Sequence, residues 1–190
     1  MIVMELREVL GRICSALEAA EIHYMLVGSF AAVHHGFLRS TADLDFVIEA
    51  DPEQLRRLIQ ELRAKDYHAE IEDALQAWRN RSMFNVMDRV AGWKSDFIFV
   101  KPRAFSREEF SRRKQSVLEG VPLFIASPED IIVSKLEWAK LGKSARQLED
   151  ASQLFRMRSE SLDRGYIDHW ANELGLSTQW NEAKRQSGVQ

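Results

Sequence analysis

Two aspartates separated by a single residue lie within an apolar run, and this spacing is typical of a site for divalent metal ions. The acidic positions alternate with apolar ones, in the order Asp43, Leu44, Asp45, Phe46, Val47, Ile48. Because successive side chains of a β-strand point to opposite faces, Asp43 and Asp45 share one face. Their Cα atoms are expected about 6.6 Å apart, close enough to share one ion or to bridge two. Such a pair repels itself unless a cation neutralises it.

A glycine and a serine upstream of this pair have the features of a phosphate-binding turn. The apolar run that ends at Val27 continues into Gly28 and Ser29 and then into Phe30-Ala31-Ala32-Val33. This pattern predicts a buried strand that turns into a helix. Backbone N–H groups at such a turn point towards an anion, and Ser29 can add a hydroxyl donor.

A third acid, Asp96, begins another apolar segment, Lys94 to Val100. An acid so placed lies at a solvent edge or faces a cation. If this strand neighbours that of Asp43 and Asp45, three carboxylates converge, as two-metal phosphoryl or nucleotidyl transfer requires. The alternative is that all three are surface or turn acids, which for an Asp-x-Asp pair alone is the commoner case. The Gly-Ser turn favours the functional interpretation.

Two basic residues are candidates for contact with phosphate. Lys135 falls in the middle of the apolar stripe of a helix that is predicted to run from Pro128 to about Leu141. Its ammonium must reach a phosphate or Asp150, unless the long stem carries it past the stripe to solvent. Arg39 precedes the carboxylate pair in a loop, where it could clamp phosphate oxygens or remain solvated. Both alternatives stay open.

The order of these motifs resembles the nucleotidyltransferase superfamily with the DNA polymerase β-type fold, and is especially similar to AbiEii-type toxins and minimal nucleotidyltransferases. The resemblance rests on Gly28-Ser29, on Arg39-Ser40-Thr41-Ala42-Asp43-Leu44-Asp45 and on Asp96. Later segments, such as Ser127-Pro128-Glu129-Asp130 and Lys135-Leu136, extend it over nearly the whole chain, with less specificity for the chemistry.

The resemblance implies a role for each motif. In that family a Gly-Ser or Gly-Gly turn binds the triphosphate, the Asp-x-Asp motif binds magnesium, and a third Asp completes the metal site and can activate the acceptor hydroxyl. The implied ligands of two Mg²⁺ ions are Asp43, Asp45 and Asp96, which are also the implied catalytic residues together with Lys135. The implied nucleotide-binding residues are Gly28, Ser29, Arg39 and Lys135.

These residues require a set of elements that position them. Apolar periodicity predicts helices over 5–20 and 29–35, strands over 24–27 and 43–49, and a helix from Asp51-Pro52-Glu53 to about residue 65. Extended segments are predicted over 68–71, 83–87 and 94–100, the last two forming a hairpin. A helix over 107–114, extended segments over 116–119 and 123–126, and a helix opened by Ser127-Pro128 follow, and the remainder reads as helical.

The predicted fold class is α/β or α+β, with a mixed β-sheet flanked by helices and a helical C-terminal part. We place a catalytic domain at 1–126 and a helical region at 127–190. The net charge of −3 gives no general attraction to nucleic acid or membrane, although 101–114 carries a local excess of basic residues. The single cysteine, Cys14, excludes an intramolecular disulfide and is expected to be inert, and the chain is expected to be cytoplasmic.

The predicted function is transfer of a nucleoside monophosphate from a nucleoside triphosphate to a hydroxyl, with release of pyrophosphate. The acceptor classes that remain open are an RNA or tRNA end, a partner protein and a small molecule. One alternative is a non-catalytic nucleotide-binding member of a toxin–antitoxin or defence pair. Another is a sugar-nucleotide glycosyltransferase, which the short chain and the position of Gly28-Ser29 disfavour.

Overall fold

The computed structural model describes residues 2–37 and 43–189. Within these ranges the elements follow the order α1 (Ile2–Ala19), β1 (His23–Val27), α2 (Gly28–His34), β2 (Asp43–Glu49), α3 (Pro52–Ala64), β3 (Tyr67–His68), α4 (Ile71–Asn80), β4 (Met83–Asp88), β5 (Lys94–Phe99), α5 (Ala104–Ser111), β6 (Lys114–Leu118), β7 (Val121–Ile125), α6 (Pro128–Gly142), α7 (Ala145–Arg158), α8 (Arg164–Glu173) and α9 (Ser177–Ser187). In this part of the chain, no helix is long and apolar enough to cross a membrane.

The strands form one mixed sheet in the order β3-β4-β5-β2-β1-β7-β6. Strand β2 pairs parallel with β5 and antiparallel with β1, while β1 pairs parallel with β7. The predicted mixed sheet flanked by helices is thereby confirmed. Strands β4 and β5 pair antiparallel across a short turn, which confirms the predicted hairpin.

One face of the sheet is apolar, because alternate residues of neighbouring strands supply aromatic rings to it. Phe97 stacks on Phe46 at 5.8 Å and on Phe84 at 5.2 Å between ring centroids, and all three side chains are buried. Helix α3 packs against both α1 and α4, and each of these three helices contacts strands of the sheet. Burial of these apolar side chains fixes which way each strand faces, because a slip of one residue would turn every ring to the other side.

The chain divides into two compact units, one formed by the described residues of 1–30 and 40–125 and the other by those of 31–39 and 126–190. The first contains the whole sheet. The second contains α6 to α9, which confirms that the C-terminal part is helical. In this second unit Phe155 packs edge-on against Trp180 at 4.8 Å, and both side chains are buried.

Two capped helices begin where the sequence predicts, whereas two other helices differ from expectation. The extended segment predicted over 68–71 is also too long, because β3 ends at His68 and α4 begins at Ile71. Asp51 caps α3 by accepting hydrogen bonds from two backbone N–H groups, and Ser127 caps α6, as predicted. Helix α4 was not predicted, because the buried residues of its apolar face include the small Ala74 and Ala77, which give a weak apolar signal. Helix α5 lies about three residues earlier than the predicted 107–114, because Lys114 already pairs in β6.

Candidate active site

The candidate site is built on two neighbouring parallel strands. In the register of β2 and β5, Asp45 pairs with Asp96, and Asp43 pairs with Lys94. Paired residues on adjacent strands project to the same side of a sheet, so these side chains share one face. The rings of Phe46 and Phe97, one residue further along each strand, stack on the opposite face. The strand of Asp96 therefore neighbours that of the Asp-x-Asp pair.

The carboxylates of this face differ in burial. Asp43 is exposed, Asp45 is half-buried and Asp96 is buried. One oxygen of Asp96, Oδ2, accepts a hydrogen bond from Lys94 Nζ at 2.8 Å. Its other oxygen, Oδ1, is buried and has no hydrogen-bond partner among the residues that the structure describes. A buried carboxylate oxygen left in this way is costly unless a cation or a donor reaches it.

Gly28 brings the strand-to-helix turn against one of these carboxylates. It adopts a positive φ of 67°, and a Cβ atom added to it would lie 2.1 Å from Oδ2 of Asp45. Both the backbone conformation and the contact therefore require glycine at this position. Ser29, the next residue, is half-buried in the first turn of α2. The predicted phosphate-binding turn and the Asp-x-Asp motif thus meet at Gly28 and Asp45.

Lys94 is a residue of this face that the motifs did not single out. The hydrogen bond to Asp96 raises the pKa of Lys94 above its ordinary value, against the effect of burial, and the negative charges of Asp96, Asp43 and Asp45 raise the pKa further. Lys94 precedes Asp96 by two positions in a strand, so the period of two could have placed it on the same face. The ammonium lies in the field of all three acids.

The donor set suits a divalent metal, although the side chains are not gathered around one point. Carboxylate oxygens are the ligands that Mg²⁺ prefers, and the unpartnered Oδ1 of Asp96 is one such donor. Throughout residues 2–37 and 43–189, however, no three His, Cys, Asp or Glu side chains are grouped so as to hold a metal ion. Among the residues that the structure describes, Lys94 supplies the cation at Asp96. The chemistry of the residues fits Mg²⁺.

Of the two basic residues predicted to contact phosphate, the structure describes only Lys135. Lys135 is buried in α6, and its Nζ donates to Oδ2 of Asp150 at 2.8 Å and to Oε1 of Gln147 at 3.3 Å. Of the two anions considered for it, the structure shows Asp150. Both partners belong to the helical second unit. Arg39 lies outside the described residues.

Comparison with known proteins gives one family and several similar folds. The model of a family described as "Nucleotidyltransferase of unknown function (DUF6036)" matches residues 4–181. Among curated proteins, no sequence matches. The solution structure of the antibiotic-resistance factor ANT(2'')-Ia is 13% identical with a TM-score of 0.60, and the alignment covers 97% of this chain and 96% of that one.

Two further solved structures have the same fold. The crystal structure of ANT(2'')-Ia in complex with adenylyl-2''-tobramycin is 14% identical with a TM-score of 0.57, covering 91% of this chain and 97% of that one. An antigenic nucleotidyltransferase-like protein from Paracoccidioides brasiliensis is 16% identical with a TM-score of 0.52, covering 95% and 92%. These findings confirm the predicted resemblance to nucleotidyltransferases. The closer likeness to AbiEii-type toxins stays a prediction.

Proposed function

Because this chain belongs to the nucleotidyltransferase family of unknown function DUF6036, we propose that it transfers a nucleoside monophosphate from a nucleoside triphosphate to a hydroxyl group, with release of pyrophosphate. The observation that carries this proposal is the register of β2 and β5, which sets Asp45 beside Asp96 on the face that also bears Asp43. The contact between Gly28 and the Asp45 carboxylate supports it further.

Asp43, Asp45 and Asp96 are the proposed ligands of two Mg²⁺ ions. When bound, these ions stabilise the charge of the attacking and leaving oxygens in an in-line displacement at the α-phosphorus. Asp96 has a second proposed role, which is to orient the acceptor hydroxyl or take its proton. The Oδ1 atom of Asp96 supports this role, because it has no hydrogen-bond partner among the described residues and can accept a hydrogen bond from a substrate hydroxyl.

The remaining proposed contacts bind the triphosphate. Gly28 and Ser29 hold the β- and γ-phosphates with backbone N–H groups and one hydroxyl, and Arg39 clamps phosphate oxygens with its planar guanidinium. Lys135 is proposed to neutralise negative charge. Phosphoryl chemistry needs little covalent help from a protein, so alignment and charge stabilisation by these groups account for the catalysis.

The acceptor is proposed as a class and not as one molecule. ANT(2'')-Ia, whose fold this chain shares, was solved with an adenylylated aminoglycoside, adenylyl-2''-tobramycin. The basic residues between positions 101 and 114 favour an acceptor that carries phosphate, such as an RNA or tRNA end, over an aminoglycoside, which is itself cationic. A side chain of a partner protein is the third class.

A label-transfer assay tests this function. The protein is incubated with Mg²⁺, each α-phosphate-labelled nucleoside triphosphate in turn, and total RNA or cell lysate. We expect transfer by the unaltered chain, its abolition by a chelator, and a loss of at least about a hundredfold in Asp45→Asn. The matched control is Asp73→Asn, which removes an exposed carboxylate from α4 and should leave transfer unchanged.

The second candidate function is nucleotide binding without turnover, in a toxin–antitoxin or defence pair. The observation that favours it is the ion pair of Lys94 and Asp96 together with the lack of a gathered carboxylate group among the described residues. The same assay separates the two functions. Nucleotide that binds tightly in equilibrium dialysis but gives no transfer with any acceptor supports the second function and contradicts the first.

A further inference from the structure

The carboxylate face of β2 and β5 already contains a cation of the protein itself. Lys94 and Asp96 are two residues apart on one strand and therefore project to the same side. Their side chains form an ion pair at 2.8 Å, in which the Asp96 side chain is 9% exposed and that of Lys94 is 35% exposed. Asp96 is thus the buried, fixed partner, and the ammonium is the partner with access to solvent.

This ion pair is part of a larger electrostatic arrangement. Lys94 stands opposite Asp43 in the parallel register, and Asp45 stands opposite Asp96. The charges of Asp43 and Asp45 act on the Lys94 ammonium along with that of Asp96, and all of them raise its pKa. Three carboxylates on one face repel each other, and the Lys94 ammonium offsets part of that repulsion.

We propose that the Lys94 ammonium is a resident counter-cation of this face, and that a divalent metal reaches Oδ2 of Asp96 only by displacing it. The inference rests on the proposed function for the identity of the metal, and it adds a residue that controls when the metal binds.

The displaced ammonium needs another anion, and the nucleotide supplies one. Lysine carries a compact charge on a flexible four-carbon stem, so Lys94 can swing away from Asp96 without movement of its strand. The phosphates of an arriving nucleoside triphosphate are the anions that would replace Asp96 as its partner. Metal binding and nucleotide binding are then coupled, because the nucleotide removes the competitor of the metal.

Titration with Mn²⁺, followed by the electron paramagnetic resonance signal of the free ion, tests this inference without measuring activity. Without nucleotide, we expect Lys94→Met to bind Mn²⁺ at least about tenfold more tightly than the unaltered chain. Adding a non-hydrolysable nucleoside triphosphate should tighten Mn²⁺ binding in the unaltered chain far more than in Lys94→Met. Lys94→Gln, which keeps a polar side chain, provides a second variant in case the first one folds poorly.

The matched control is Lys65→Met, because Lys65, the residue after α3, pairs with Glu61 of that helix at 3.0 Å, and its loss should leave Mn²⁺ affinity unchanged. Equal or weaker Mn²⁺ binding by both Lys94 variants overturns the inference. The proposed function stands even if the inference about Lys94 fails, provided that the unaltered chain binds Mn²⁺ and that Asp45→Asn abolishes this binding. Absence of Mn²⁺ binding in every variant, with nucleotide present, overturns both.

Discussion

Substitution of Gly28 should have two effects that can be measured separately, namely backbone strain and loss of ligand binding. Alanine at this position must adopt a positive φ and place a methyl group 2.1 Å from Oδ2 of Asp45. We expect Gly28→Ala to lose about 1–3 kcal/mol of unfolding free energy and also to lose Mn²⁺ and nucleotide binding. Urea denaturation and equilibrium dialysis measure the two effects.

Gly92→Ala is the control for this substitution, because Gly92 has a similar φ of 71° but nothing within 4 Å of an added Cβ. We expect Gly92→Ala to lower the free energy of unfolding by about as much as Gly28→Ala, through backbone strain alone. Its binding of metal and nucleotide should be unchanged. If Gly28→Ala retains wild-type binding, the turn is not part of the site.

Lys135 has a structural partner in Asp150 and a proposed role in catalysis, and the two can be distinguished. Its side chain is 5% exposed and that of Asp150 is 7% exposed. Removal of one partner leaves a buried charge, so we expect Lys135→Met to lose about 3–5 kcal/mol of unfolding free energy. The double variant Lys135→Met, Asp150→Leu should recover much of this loss. Full stability of the single variant in urea, combined with lost label transfer, would instead assign Lys135 to catalysis alone.

For the candidate site, the sequence predicts which residues share a face of a strand, because side chains alternate with a period of two. Alternation with apolar residues put Asp43 and Asp45 on one face, and the register agrees. Lys94 was missed because a lysine that begins a strand is ordinarily solvated, and only the parallel pairing of β2 with β5 brings it opposite Asp43. Such pairing depends on residues about fifty positions apart, and local patterns contain no information on it.

At the scale of elements, the turn between β4 and β5 determines where Lys94 and Asp96 lie. Asp88, which is buried, accepts hydrogen bonds from the backbone N–H groups of Val90 and Ala91, both at 2.9 Å, and forms an ion pair with Arg12 of α1. Asp88→Ala removes these acceptors and leaves Arg12 unpaired at this contact. We expect a loss of about 3 kcal/mol in the free energy of unfolding.

Asp51→Ala is the comparison, because it removes only the cap of α3 and should cost about 1 kcal/mol. Both variants are measured by urea denaturation. A smaller loss in Asp88→Ala than in Asp51→Ala would mean that this turn does not hold the hairpin and α1 together.

Elements were predictable where a cap or an apolar run marks them. Asp51-Pro52 and Ser127-Pro128 begin α3 and α6 as expected, since these residue types satisfy the first N–H groups of a helix. Helix α4 was not predicted, because alanines in its buried face give little apolar signal. The start of β6 depends on its pairing with β7, which the local sequence does not specify.

At the scale of the whole molecule, the single cysteine reports on the integrity of the first unit. Burial raises the pKa of the Cys14 thiol to about 11, and the side chain is 3% exposed. The reactive thiolate is therefore scarce at pH 8 and becomes abundant as pH rises towards that pKa. We expect negligible labelling by a disulfide reagent in native buffer at pH 8 and stoichiometric labelling in urea. Rapid labelling of the native protein would contradict this packing.

The fold class was predictable from the sequence, whereas the order of the strands was not. Apolar runs and helical periodicity were enough for a mixed sheet followed by helices. The strand order and the grouping of the described residues 31–37 with the C-terminal helices depend on contacts between distant residues, which local patterns do not specify. The proposed function followed from motifs, whereas the acceptor depends on a surface that no motif describes.

We propose that Asp43, Asp45 and Asp96 hold magnesium beside a turn that binds triphosphate. The decisive experiment is a crystal structure with Mg²⁺ and a non-hydrolysable nucleoside triphosphate. We expect the metal to be bound by carboxylate oxygens of Asp43 and Asp45, with Asp96 as a further ligand and the β- and γ-phosphates at Gly28 and Ser29. Nucleotide bound elsewhere, or metal that contacts none of the three carboxylates, would contradict it.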